Sequence, residues 1–161
     1  MSTCLVPGSF DPVTRGHMDL FARACALFDR VYIGVMQNSG KTSCFPAEIR
    51  AELLRRACAE AKLPVTVVTH TGLLADLARE LDVNVMVRGL RDETDYHYET
   101  QFALVHRCLL PTVETVCLMQ SASVVNISSQ LVREVGRLGG DIANWVPACI
   151  LEDVLRHLAE N

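Results

Sequence analysis

No G-x-G-x-x-G run occurs in the 161 residues, which removes the dinucleotide fingerprint of a dehydrogenase. The nearest approach to a P-loop is Gly40-Lys41-Thr42. The glycine that such a loop needs five residues before Gly40 is Val35, and Pro46 follows closely, where a helix is expected to begin. That leaves Lys41 either reaching for a phosphate or solvated. No apolar run is long enough to cross a bilayer, and no basic stretch leading into an apolar one opens the chain. A cytoplasmic setting with no membrane partner is the expectation. Positive charge is not in excess: 15 Lys and Arg stand against 19 Asp and Glu, a net charge of −4. This argues against a broad nucleic-acid surface, so any anionic ligand has to meet a local positive cluster. The seven cysteines, at 4, 25, 44, 58, 108, 117 and 149, include no C-x-x-C pair. Odd in number and mostly set in apolar segments, they read as ordinary reduced thiols. His106 and Cys108 have no second pair to complete a metal site, and no metal ligand is expected from protein side chains.

What the chain does have is a regular alternation. Half of its residues are hydrophobic and about a fifth are charged, the profile of a globular protein, and the length suits one domain over residues 1–161. Short valine-rich runs at Cys4–Val6, Val31–Met36, Val65–Thr69, Val83–Val87 and Val113–Met119 read as strands buried on both faces of a parallel sheet. Between them lie helical stripes: Met18, Phe21, Ala22, Cys25 and Phe28; then Ile49, Leu53 and Ala57; then Leu74, Leu77, Ala78 and Leu81; then Tyr98, Phe102, Val105 and Leu109. A further helix is predicted from about Ser128 to Gly139-Gly140, and a last one from Pro147 to about Leu158. The pattern predicts a single-domain, doubly wound, five-stranded parallel α/β sheet (Rossmann-like, order 3-2-1-4-5) with C-terminal helices. Ligands of such sheets bind beyond the C-terminal strand ends, where the strand order reverses.

Chemistry-bearing residues fall where that rule wants them. After the first strand comes Pro7-Gly8-Ser9-Phe10-Asp11-Pro12, and Thr14-Arg15-Gly16-His17 opens the first helix. A helix start offers unpaired N–H groups and the positive end of the dipole, a natural phosphate site. Gly16 allows close approach of a ligand to the backbone, and His17 can touch the same anion. After the fourth strand, Arg88-Gly89-Leu90-Arg91 sets two guanidiniums around a glycine. These either fork phosphate oxygens or pair on the surface with Asp92, Glu93 or Asp95. After the fifth, Asn126-Ile127-Ser128-Ser129-Gln130 leads into a helix, where the serines are either N-caps or part of a nest for a triphosphate. Asp92, Glu93 and Asp95 suit the first turn of a helix by complementing its dipole, and Glu99, deeper in, could bond a ribose. His70, His97, His106 and His157 have no sequence partners and read as structural or exposed.

Pro7–Pro12 with Thr14-Arg15-Gly16-His17 resembles the T/H-x-G-H signature of the nucleotidyltransferase superfamily, and Arg88–Arg91, Asp95–Glu99 and Ile127–Ser129 extend the likeness. The chain resembles the bacterial-type phosphopantetheine adenylyltransferases over almost its whole length. The resemblance implies transfer of AMP from ATP to 4′-phosphopantetheine, giving dephospho-coenzyme A and pyrophosphate. It implies that Ser9, Lys41, Leu74 and Arg88 contact phosphopantetheine. ATP would be met by Ser9, Phe10, His17, Gly89, Leu90, Arg91, Glu99 and the stretch Val124, Val125, Asn126, Ile127, Ser128, Ser129 and Gln130. The catalytic roles would fall to His17, Lys41 and Arg91. It further implies Mg²⁺ held mainly by the ATP phosphates, a homohexamer, and coenzyme A as a feedback ligand. Two positions depart from the family pattern: Ser9 stands where threonine is usual, and Gln130 where serine or threonine is usual. Alternatives are a sister enzyme using another phosphate acceptor such as nicotinate mononucleotide, a P-loop kinase built on Lys41, or a nucleotide-binding regulator without turnover.

Overall fold

A computed structural model describes residues 2–37, 40 and 42–160. The alternating pattern becomes β1 (Thr3–Gly8), α1 (Arg15–Leu27), β2 (Arg30–Gln37), α2 (Ala47–Glu60), β3 (Val65–Thr71), α3 (Leu74–Glu80), β4 (Val85–Leu90), α4 (Glu93–Leu109), β5 (Glu114–Met119), α5 (Ser129–Arg137), a 3₁₀ turn (Ala148–Ile150) and α6 (Leu151–Glu160). All pairings are parallel and the order is β3-β2-β1-β4-β5, as the sequence predicts. No helix among the described residues is long and apolar enough to cross a membrane.

Strand alternation sends side chains to two cores. Cys4, Val6, Val31, Ile33 and Val35 face the larger one, filled by Leu20, Phe21 and Ala24 of α1, Leu53, Leu54 and Ala57 of α2, and Val132, Val154 and Leu158 from α5 and α6. Leu5 and Met86 face the other, against Leu74, Leu77 and Ala78 of α3 and Leu110 and Val113. Each fully buried aliphatic side chain contributes about 1.5–3 kcal/mol, so both faces of the central strands are well supported.

Two expectations need correction. The fourth strand runs to Leu90, so Arg88, Gly89 and Leu90 form its last residues and pair with Cys117, Leu118 and Met119; the sequence reading ended the strand at Val87. The second concerns α4. Tyr98, Val105 and Leu109 are exposed, and of the expected stripe only Phe102 packs against the core. The buried positions are Glu99 and His106, at i and i+7, because the inward face of this helix has to partner an arginine.

The sheet also narrows at its midline. The register of β1 with β4 contains two pairs, Cys4↔Val85 and Leu5↔Met86, whereas β1 pairs with β2 through all six residues from Thr3 to Gly8. Pro7 helps explain this. In a parallel strand the N–H and C=O of one residue point to the same side, and the carbonyl of Pro7 accepts from Arg88 Nη1 of β4 at 2.8 Å. Its missing N–H therefore also faces β4, and the ladder cannot continue there. The strands part, and a crevice opens between their C-terminal ends.

Candidate active site

A cavity of about 410 Å³ fills that crevice, lined by residues from β1 and its turn, α1, β4, α4 and the start of α5. His17 and Arg88, 71 positions apart in the chain, both line it, together with Ser9, Arg91 and Ser128.

The turn after β1 is shaped by Phe10. Its backbone is left-handed, with φ 48°, a conformation that costs a non-glycine residue about 1 kcal/mol or more. Burial of the ring offsets this: Phe10 is 3% exposed and packs edge-on against His17 and Phe21, at 5.0 and 5.4 Å between ring centres. A Cβ on Gly8 would sit 2.7 Å from that ring, so position 8 has to be glycine.

His17 is held by the start of α1. Thr14 is the N-cap, and its Oγ1 accepts from the amide of His17. In return, the amide of Thr14 donates to His17 Nδ1 at 3.0 Å. This is a capping box with histidine in the third position. An amide can only donate, so Nδ1 must be unprotonated and the neutral ring carries its hydrogen on Nε2. Burial, with Arg91 adding to it, pushes the imidazole pKa down to about 4. At neutral pH His17 is a neutral ring with one fixed N–H donor.

The arginines are gripped by α4. Arg88 makes a two-pronged pair with Glu99, both bonds 2.7 Å, and its guanidinium carbon lies 4.6 Å from the centre of the Phe102 ring. Arg91 makes a second fork with Asp95, at 2.7 and 2.9 Å, which holds the Asp95 carboxyl below its ordinary pKa. Asp92 caps the helix by accepting from the amide of Asp95. The surface-pairing alternative for Arg91 is therefore realised in part, with Asp95 the partner, while the arginine still lines the cavity. Glu99 reaches Arg88. At the opposite wall, Ser128 caps α5 by accepting from the amide of Leu131 at 3.1 Å, and Ser129 donates to the carbonyl of Pro12 at 2.7 Å. The capping role of Ser128 and its place on the cavity wall coexist.

Several expected residues stand elsewhere. Leu74 is packed in the second core and does not line this cavity. Of the stretch 124–130, Ile127, Ser128, Ser129 and Gln130 line it; Val124, Val125 and Asn126 do not. The carbonyls of Val124 and Ile127 nevertheless lie within 3.5 Å of where a Cβ on Gly16 would stand. Lys41 lies outside the described residues. No group of three His, Cys, Asp or Glu suited to a metal occurs among the described residues.

One set of positioning residues has no signal in the sequence. Arg50 of α2 is buried, and it donates to the carbonyls of Phe45, Ser9 and Met36. Asp11 accepts from the amides of Cys44 and Phe45, at 2.9 and 2.8 Å, and faces Arg133 of α5 at 3.6 Å. Arg133 also donates to the Asp11 carbonyl. Burial lowers the pKa of Arg50 and the charge of Asp11 opposes this. These three charges tie the β1–α1 turn to both flanks of the segment between β2 and α2 and to α5.

Fold and cavity together define a nucleotidyltransferase of the α/β class: residues 5–135 match the cytidylyltransferase-like family model. A protein of Clostridium beijerinckii named phosphopantetheine adenylyltransferase is 37% identical over 158 residues, spanning 98% of this chain and 99% of the relative. One of the same name from Stenotrophomonas maltophilia is 44% identical over 154 residues, spanning 96% and 90%. The chain belongs to the phosphopantetheine adenylyltransferase family. Among solved structures, a bifunctional NMN adenylyltransferase/ADP ribose pyrophosphatase from Francisella tularensis, complexed with AMP and a manganese ion, shares the fold with TM-score 0.70. It is 12% identical, and the match covers 99% of this chain and 52% of that one.

Proposed function

We propose that the protein, acting as one domain over residues 1–161, transfers the AMP of ATP to 4′-phosphopantetheine and releases pyrophosphate. The observation that carries this reading is the convergence of His17, Arg88, Arg91 and the starts of α1 and α5 on one cavity. A phosphate of the acceptor attacks the α-phosphorus in line. A new P–O bond forms as the bond from the α-phosphorus to the bridging oxygen breaks, and the electron pair leaves with pyrophosphate. The nucleophile is already an anion, so no base and no covalent enzyme intermediate are needed. The task is to gather negative charge, which calls for fixed donors and cations. His17 Nε2–H and the helix starts supply oriented donors, Arg91 faces the nucleotide phosphates, and Arg88 and Lys41 hold the acceptor phosphate.

Mg²⁺ would enter on the phosphates and neutralise their charge. The two carboxylates lining the cavity, Asp95 and Glu99, are each engaged by an arginine, so the donor set suits a phosphate-held ion. Coenzyme A, which contains both halves of the product, would compete for the same cavity. Exposed apolar side chains on α4 support assembly into a hexamer.

The test is pyrophosphate release with ATP and a panel of phosphate acceptors, including 4′-phosphopantetheine and nicotinate mononucleotide. Rapid release with the first alone is expected. Turnover confined to nicotinate mononucleotide would transfer the assignment to the sister reaction, and ADP in place of pyrophosphate would end it.

A further inference from the structure

One face of α1 runs alongside the segment between β5 and α5. Gly16, Asp19 and Arg23 follow one another at i+3 and i+4 spacing, so they share that face. Arg23 donates to the carbonyl of Met119 and pairs with Asp19 at 3.5 Å. The hydroxyl of Ser121 donates to the Asp19 carboxylate, 2.9 and 3.0 Å from its two oxygens, and the Ser121 amide donates to Oδ2 at 3.4 Å. A Cβ on Gly16 would stand 3.5 Å from the carbonyl of Val124 and 3.4 Å from that of Ile127. The segment therefore runs back along α1 toward His17 and ends at Ile127 and Ser128, which line the cavity. Among the described residues, the contact of Ser121 with Asp19 is the one hydrogen-bonded tie between residues 121–127 and another element. The other hydrogen bonds of this stretch are internal, from the amide of Val124 to the carbonyl of Ser121 and from that of Ile127 to Val124.

We propose that Asp19 and Ser121 are positioning residues for the nucleotide: their contact clamps residues 121–127 onto α1 and so fixes where Ile127 and Ser128 stand relative to His17. Neither residue lines the cavity, so they act through the segment and not on the ligand. The tie is a hydrogen bond to a charged acceptor, the stronger kind. Without it, hydrogen bonds hold the segment only at its ends, where the amide of Gln120 donates to the carbonyl of Leu90 and Ser129 donates to Pro12. The wall would then have to be ordered when a nucleotide arrives, and that lost freedom weakens binding. The acceptor phosphate, assigned to Arg88 on β4, would not feel the change. This rests on ATP being the nucleotide substrate, and the experiment separates the two ideas.

Asp19→Ala, Ser121→Ala, their double variant and Ser121→Thr are compared with the wild type by calorimetric titration of Mg-ATP and of 4′-phosphopantetheine, each alone, and by steady-state kinetics. Alanine is the better helix former at position 19, so α1 is kept. The expected result is ATP binding weakened about 10-fold in each alanine variant, the size of one charge-assisted hydrogen bond, with the affinity for 4′-phosphopantetheine unchanged. KM for ATP should rise in step, while kcat at saturating ATP changes far less. The double variant should bind ATP no more weakly than either single one, because both remove the same contact. Ser121→Thr, which keeps the hydroxyl, should keep most of the affinity that Ser121→Ala loses. Amide exchange over 121–127 should quicken in the alanine variants while the strands stay protected. Unchanged ATP affinity in the alanine variants, additive losses in the double variant, or equal losses for the two ligands would each overturn the proposal. The expected losses in a protein that transfers no AMP to 4′-phosphopantetheine would uphold it and remove the acceptor assignment instead. A wild type that binds no ATP would overturn both.

Discussion

At the scale of the residue, His17 joins helix capping to chemistry. The bond from the Thr14 amide to Nδ1 leaves Nε2 as the ring nitrogen free to donate. His17→Ala should fold and lose about 10²- to 10³-fold in kcat, the loss seen when one preorganised donor is removed; single-turnover AMP transfer checks it. The same residue imposes a pH dependence on stability. Its folded pKa of about 4 lies below the roughly 6.5 of an unfolded histidine. Between those values the unfolded chain binds a proton that the folded protein refuses. Stability is therefore full above about pH 6.5, declines as pH falls toward 4, and then levels off. Urea unfolding at pH 7.5 and 4.5 should show a loss in the wild type that His17→Gln lacks, by up to about 3 kcal/mol at the lower end of the window. Identical losses in the two proteins would show that the imidazole bears no such penalty.

At the scale of the element, the buried charges behind the site invite a direct test. Arg50→Leu strips the carbonyls of Ser9, Met36 and Phe45 of a donor and leaves Asp11 with less compensation. A loss of about 3–5 kcal/mol is expected, as when one member of a buried ionic group is removed, read as a lower denaturant midpoint; a loss under 1 kcal/mol would show that the network is dispensable. Nothing in the sequence marks this network, because its partners lie 5 to 122 positions apart and each looks like an ordinary surface charge. The strands were legible because valine-rich runs recur at regular intervals, and the first helix start was legible because Thr14 and His17 stand three apart beside a glycine. The inward face of α4 was not. Apolar periodicity marked Tyr98, Val105 and Leu109, whereas the buried face is chosen by what lies beneath it. That is the guanidinium of Arg88, which calls for Glu99 and an aromatic ring at Phe102. The end of β4 was misjudged for a related reason: arginine and glycine are loop-like by composition, but hydrogen bonding to β5 holds them in the strand.

At the scale of the whole molecule, the side chains that α4 turns outward become informative. Tyr96, Tyr98, Leu104 and Val105 are each more than half exposed, as is Met119 at the end of β5. Where such side chains form a patch, a partner usually covers it, and symmetric self-association is the common way for an enzyme to do so. Leu104→Glu should shift the sedimentation profile of the proposed hexamer to smaller species while leaving the monomer folded by circular dichroism. An unchanged profile would place the interface on another face.

Pro7 gives the sheet a seam whose upper part is fastened by a side chain. Above Leu5 and Met86, the guanidinium of Arg88 on the Pro7 carbonyl serves as a strut between the two halves of the molecule. If that same cation grips an incoming phosphate, occupancy redistributes a structural brace. The cost of filling the crevice is then set partly by how readily the two wings of the sheet tolerate sharing it, so catalysis and the mechanical closure of the fold depend on a single guanidinium.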